Sequence, residues 1–332
     1  MRRILLTARA IILDNLRSRL TIFWVVVFPL VIALLFTLIF GNFSPSPQPQ
    51  VYVYGFDAHG VASFLSAEGF KVLNGNFTEY VERYGGIQVI VFNSTHYSLL
   101  YSPGLKSSAA SVAAYVQDYF SGFRASTYFS QVGKASYISY LVTGVMGVVA
   151  LSNGIFVIVG VSSGYFRDGL MERIAASPLR EWEWVVSLML YEVVITLLSS
   201  SLILVYGAAW GVFPTSILEV LGVLLLGTFL FSGLGAVIFG LTPKDKLFVA
   251  ETASSAIIFP LMFLSNAFYN PSGLPLSVQA LVEFSPVSVV NDLVREIGLY
   301  GSPVSAYQLV EILVLTFLFL GVGSKLMRIR EV

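Results

Sequence analysis

Five acidic residues lie within or at the ends of long apolar runs: Glu192, Glu219, Glu251, Glu283 and Glu311. Charge at membrane depth is costly, so such residues face the interior of a helix bundle or a transport pathway. Glu219, Glu251 and Glu311 fall within a few residues of predicted helix ends, where snorkelling or the helix dipole accounts for them. Glu192 lies about two turns into its run. It reads either as a pathway group, able to bind a cation or exchange a proton, or as one side of an interhelical hydrogen bond. Other chemistries lack the residues they need. Cysteine is absent, which removes disulfides, thiolate metal sites and thiol nucleophiles. His59 and His96 stand outside the apolar runs and no HExxH occurs, so a zinc protease site is not expected. No GxxxxGKS/T phosphate loop, nucleophile elbow or histidine triad is present. An enzyme is therefore not expected, and any ATP used must be bound by another polypeptide.

The elements that would position these groups are membrane helices. Of 332 residues, 56% are hydrophobic and 11% charged, against about 25% charged in soluble domains. Nineteen Lys and Arg balance nineteen Asp and Glu, which leaves no basic footprint for nucleic acid. A hydrocarbon core about 30 Å thick takes about 20 apolar residues in a helix, a form that satisfies its own backbone there. Six segments meet that length: Leu20 to Phe40, Tyr137 to Tyr165, Val185 to Gly211, Ser216 to Leu241, Leu247 to Tyr269 and Gln308 to Met327. The first is uncharged, has Pro29 as a predicted kink, and is too long and too late for a cleaved signal. No inverted pair of Gly/Pro-broken helices is evident.

Thirteen of the nineteen cations fall on one predicted side, in 1–19, 165–183, 244–246 and 325–330. The positive-inside rule makes that side cytoplasmic and places both termini there. The chain is expected in the plasma membrane, with residues 1–19 an interfacial helix and 328–332 a short tail. Residues 41–136 form the other unit. Ser44-Pro45-Ser46-Pro47-Gln48-Pro49 breaks the first helix. Beyond it Val51 to Tyr54, Gly86 to Phe92 and Tyr97 to Tyr101 have the β-branched and aromatic character of strands. Val61 to Glu68 and Phe77 to Tyr84 suit short helices, and Leu105 to Gln131 suits one long helix leading back to the membrane. The expectation is an all-α polytopic membrane protein with six transmembrane helices and a small extracellular α/β domain between the first and second. Three Asn-x-Ser/Thr sequons, at Asn42, Asn76 and Asn93, all lie in that domain as candidate glycosylation sites.

The loop from Tyr165 to Arg180 is the most informative stretch. Leu170 to Ala176 predicts a short helix, with Leu170 and Ile174 on one face at i, i+4, ended by Ser177-Pro178. Asp168 and Glu172 share that spacing; like charges so placed repel, and a basic partner surface would relieve them. Gly169 to Leu179, GLMERIAASPL, resembles the G-T-x-E-R-L-x-x-S/T-P-L loop of the type-2 ABC exporter permeases. Phe259 to Tyr269, FPLMFLSNAFY, is similar to that family's fifth span. Leu274-Pro275 with Val278 to Glu296 resembles its external segment of short re-entrant helices, here within 270–307, with Ser285 in place of the family's Asn.

The resemblance implies the membrane subunit of an ATP-driven exporter of a lipid-like or amphipathic substrate. Its coupling helix would use Gly169, Leu170, Glu172, Arg173, Ile174, Ser177 and Pro178, with Leu170 replacing the usual threonine. The partners implied are a cytoplasmic ATP-binding-cassette subunit carrying ATP and Mg, a second permease chain, identical or related, and the lipid bilayer. A pathway between the two chains would take Glu192, Pro260, Asn266 and Phe268. Two other classes remain open: an ion-coupled secondary transporter using Glu192, and a non-transporting sensor or mechanical transmitter using the 41–136 domain.

Overall fold

The computed structural model describes residues 2–18, 23, 27–40, 50–78, 80–81, 86–102, 105–120, 126–131, 137–269, 271, 274–300 and 304–327. The sequon at Asn42 and the tail at 328–332 lie outside the described residues. In chain order the elements are α1 (Arg2–Arg17), α2 (Phe28–Phe40), β1 (Val51–Gly55), α3 (Ala58–Ala67), β2 (Val72–Asn74), β3 (Ile87–Asn93), β4 (His96–Tyr101), α4 (Lys106–Tyr119) and β5 (Ser126–Gln131). They continue with α5 (Tyr137–Arg167), α6 (Leu170–Ala175), α7 (Glu181–Ala209), α8 (Ile217–Leu241), α9 (Leu247–Phe263), α10 (Leu276–Glu283), α11 (Pro286–Arg295) and α12 (Ala306–Leu326). Two compact units result: Met1–Leu35 with Leu141–Val332, and Phe36–Tyr140.

In the smaller unit, period-two alternation turns Val51, Val53, Val89, Val91, Tyr97 and Leu99 to one face, where Val61 and Leu65 of α3 and Val112 and Val116 of α4 bury them. The sheet runs β2-β1-β3-β4-β5. Strand β1 is parallel to β2 and β3, β3 and β4 form an antiparallel hairpin, and β5 lies parallel to β4. Asn93 shapes the hairpin turn: its side-chain oxygen accepts from the backbone N–H of Thr95 at 2.9 Å and of His96 at 2.7 Å. Asn76 does the same for the hydroxyl of Thr78 at 2.8 Å, and both sequon asparagines are exposed.

The long helix expected over Leu105 to Gln131 is corrected here. Helix α4 stops at Tyr119, and Ser126–Gln131 forms β5 instead. The Ala/Ser-rich composition that favours helix ends before Gly122, and Thr127, Tyr128 and Phe129 suit a strand once the edge of β4 offers backbone partners.

In the larger unit α5, α7, α8 and α12 are each long and apolar enough to cross a membrane, while Phe28–Leu38 and Leu247–Phe263 are shorter apolar helices. The fifth expected span, Leu247 to Tyr269, is thus shortened: α9 ends at Phe263, about one turn after its internal Pro260. Helix α5 is the central one, with 83% of its apolar window buried against 17% for α12. The exposed face of α12 carries Tyr307, Val310, Val314, Phe317, Leu318 and Val322. That much apolar surface is stable in lipid rather than water. Helices α8 and α12 pack backbone against backbone, since a Cβ at Gly233 would stand 2.6 Å from the Leu320 nitrogen.

Candidate functional site

The loop between α5 and α7 is built as a braced turn. Tyr165 and Phe166, at the end of α5, stack on Trp184 of α7 at 5.4 Å and Phe239 of α8 at 5.7 Å. Gly169 then adopts φ 67°, the left-handed conformation that ends one helix and opens the next at little cost only without a Cβ. The following turn, α6, buries Met171 to 1% exposure and half-buries Leu170 and Ile174, leaving Glu172 and Arg173 exposed. Ser177 closes it, its hydroxyl donating to the Ile174 carbonyl at 2.6 Å. Glu183 accepts from the Arg180 backbone N–H at 2.8 Å and caps α7.

The predicted Leu170/Ile174 face and the Ser177-Pro178 stop are both present, but Asp168 precedes Gly169 and belongs to the turn that ends α5. Its spacing to Glu172 is therefore not a helical i, i+4 pair. The anchor Met171 and the long-range brace were not among the expected residues. Arg3 of α1 donates to the Pro178 carbonyl at 2.9 Å, and Tyr165 donates to Asp14 of α1 at 3.2 Å. Helix α1 therefore holds both ends of the loop. Ile4, Ala8 and Ile11 form its buried face, and the Ile4 carbonyl accepts from Ser187 of α7 at 3.2 Å.

Glu192 is fully buried and lies between helices, hydrogen-bonded to Ser232 of α8 through one carboxyl oxygen; the other has no partner. A polar seam continues from it through the same bundle. Asn153 of α5 donates to Thr196 and Ser199 of α7, each at 3.4 Å, and Thr196 meets Thr228 of α8 at 3.2 Å. All of these side chains are buried.

Asn266 stands in a second buried cluster, beyond the end of α9. Its amide donates to Asp292 at 2.7 Å, its oxygen accepts from Asn291 at 3.1 Å, and its backbone N–H donates to Ser288 at 3.0 Å. Arg295, 3% exposed, donates to the Asn266 carbonyl at 2.8 Å and pairs with Asp292 at 3.4 Å. Gly147 of α5 admits this cluster, since a Cβ there would fall 1.9 Å from the Asn291 oxygen. Phe268 is buried nearby in sequence, its ring 6.1 Å from that of Phe263, whereas Pro260 is exposed on α9.

The loop residues from Gly169 to Pro178 are thus brought together as one surface feature. The four expected pathway residues are not: Glu192 belongs to the seam of α5, α7 and α8, Asn266 ties the end of α9 to α11, and Pro260 faces outward. Among the described residues no group of three His, Asp or Glu side chains is arranged to hold a metal ion. Asp292 and Arg295 could have drawn attention as an i, i+3 ion pair in an otherwise apolar stretch.

Among the described residues, four long apolar helices, two shorter ones and an α/β unit lying between α2 and α5 in sequence define a multi-pass helical membrane protein. The chain belongs to the ABC-2 type transporter family, whose pattern matches residues 105–299, more than half of its length. It is similar to nodulation protein J of Rhizobium leguminosarum bv. trifolii, with 30% identity over 176 residues. That alignment covers 52% of this chain and 66% of the relative. As a permease of this family the chain is a membrane transport component.

Proposed function

We propose that this chain is the transmembrane subunit of an ABC exporter and that α6 is its coupling helix. The observation that carries the reading is the form of α6. It is anchored by Met171 and held by Arg3, yet leaves Glu172 and Arg173 exposed, with no ion pair to either among the described residues. A lever that transmits motion must be stiff and must contact its driver differently in two states. The driver is a separate cytoplasmic ATPase carrying ATP and Mg, since the chain has no phosphate loop of its own. Two permease chains, identical or related, pair around a shared pathway for an amphipathic or lipid-like substrate. Six spans, with α2 and α9 completing the count, put both termini in the cytoplasm and residues 41–136 outside.

The test is co-expression with an ATPase subunit encoded beside it. The two proteins should co-purify, and permease should raise ATP turnover. Glu172→Arg should abolish that stimulation while leaving membrane insertion intact; unaltered stimulation would remove α6 from the interface. Transport that persists with ATP depleted and a proton gradient intact would instead favour an ion-coupled carrier.

A further inference from the structure

The sheet of the smaller unit ends on two unlike strands. Strand β2 is three residues long, whereas β5 pairs with β4 over six consecutive residues with no register shift, and no strand lies beyond it among the described residues. Edge strands are ordinarily kept from pairing further by shortness, charge, proline or a bulge. Strand β2 uses the first of these. Strand β5 uses none: Ser126–Gln131, STYFSQ, has no charged residue and no proline, and the one register shift in the described sheet falls between Val91 and Asn93 of β3. Tyr128 and Phe129 are 65% and 50% exposed on opposite faces of the strand. Tyr128 also closes a row, since Tyr54, Ile90, Ser98 and Tyr128 stand in register across four strands on the face that α3 and α4 do not cover.

We propose that β5 pairs antiparallel with β5 of a second copy of this chain, across a two-fold axis at Tyr128, joining two five-stranded sheets into one of ten strands. This rests on the pairing of two permease chains described above and says where their α/β units meet. A two-fold sets the strand against itself, so any charge in β5 would face or neighbour its own like; the strand has none. The axis must pass through a residue, because directly opposed residues share a face of the sheet. Centred on Tyr128, it sets the two tyrosines side by side and carries the row into the partner. Size selects the occupant. One short strand pair buries far less than the roughly 1,200 Å² of a stable interface, so a free partner in solution would not stay. A second copy is confined, because the sequence ties the unit to α2 at one end and to α5 at the other. At the millimolar effective concentration of joined modules a weak contact is enough.

Because the chain has no cysteine, one introduced residue reads the contact. The full chain carrying Tyr128→Cys, oxidised in its membrane, should become a disulfide-linked dimer, since opposed residues of an antiparallel pair stand about 5 Å apart at Cα, within disulfide reach. Leu73→Cys on β2 is also exposed, at 47%, but lies four strands from β5, so its copies would stand roughly 40 Å apart and should not link. Equal linking of the two variants would mean random collision and would overturn the proposal. Tyr128→Lys sets like charges side by side and should speed amide exchange over 126–131, with the dimer still present by native mass spectrometry; unchanged exchange would overturn the proposal. A dimer by native mass spectrometry with no link at Tyr128→Cys would remove the sheet pairing and leave the permease pairing, whereas a monomer would remove both. A bis-maleimide that joins Tyr128→Cys to a different polypeptide instead would make β5 a docking edge for that protein and overturn the self-pairing.

Discussion

The hydrogen count around Glu192 determines what that residue can be. Ser232 has one hydroxyl proton and two acceptors, the Glu192 carboxyl and the Thr228 carbonyl at 2.7 Å. A carboxylate would compete for that proton and leave its second oxygen bare in a buried site. A neutral carboxyl donates to Ser232 while Ser232 donates to Thr228, and leaves only an uncharged oxygen without a partner. Glutamine offers the same shape and a donor, so Glu192→Gln should unfold at nearly the parent's temperature in detergent. Glu192→Ala loses the partner and leaves a cavity, and should cost about 1–3 kcal/mol. Equal losses in the two variants would show that the group is charged. Gly169 is simpler. A Cβ there meets nothing within 4 Å, so Gly169→Ala should cost only its backbone conformation, about 1–2 kcal/mol. In the complex that penalty should appear as weakened ATPase stimulation with normal expression; unchanged stimulation would mean that the left-handed turn is not needed to present α6.

At the scale of elements, what the sequence made legible followed local periodicity and what it hid followed long-range pairing. Helix α6 is readable to within a residue because a left-handed glycine, an i, i+4 apolar pair and Ser-Pro bound it. Strand β5 is not, because its stability comes from β4, some 30 residues earlier. The Arg3 to Pro178 contact joins residues 175 apart and has no local signature. Asn266 was visible as a polar residue in an apolar run, but its partners on α11 were not. That cluster is a joint: it fixes the non-helical end of α9 to α11 and, through Gly147, to α5. Asp292→Ala should free the joint and leave Arg295 buried without its carboxylate, costing about 1.5–3 kcal/mol, at the lower end because Asp292 is partly exposed. Adding Arg295→Met should restore part of the loss, since removing both charges avoids the uncompensated one. A double variant less stable than Asp292→Ala would mean that Arg295 holds the joint through Asn266 rather than through the ion pair.

For the whole molecule the open variable is which face of the membrane each part occupies, and its sequence makes that measurable. The chain has no cysteine, so any cysteine introduced is unique. Glu172 and Asn93 are both exposed, one on α6 and one in the β3–β4 turn. Neither is buried in its unit, so replacing them should disturb little packing. Two topologies compete. If α2 crosses the membrane, the α/β unit lies on the side opposite α1. If α2, 13 residues long where described and so about 20 Å, only inserts part-way, the unit stays on the same side as α1, and a crossing α5 would carry α6 to the other face, against the contacts of Arg3 with Pro178 and of Tyr165 with Asp14. Thirteen of nineteen cations on the α1 and α6 side favour the crossing. Glu172→Cys should therefore react with a membrane-impermeant maleimide only in inverted vesicles, and Asn93→Cys only in intact cells. Reaction of both from one side would mean that α5, which joins the α/β unit to α6, does not cross the membrane.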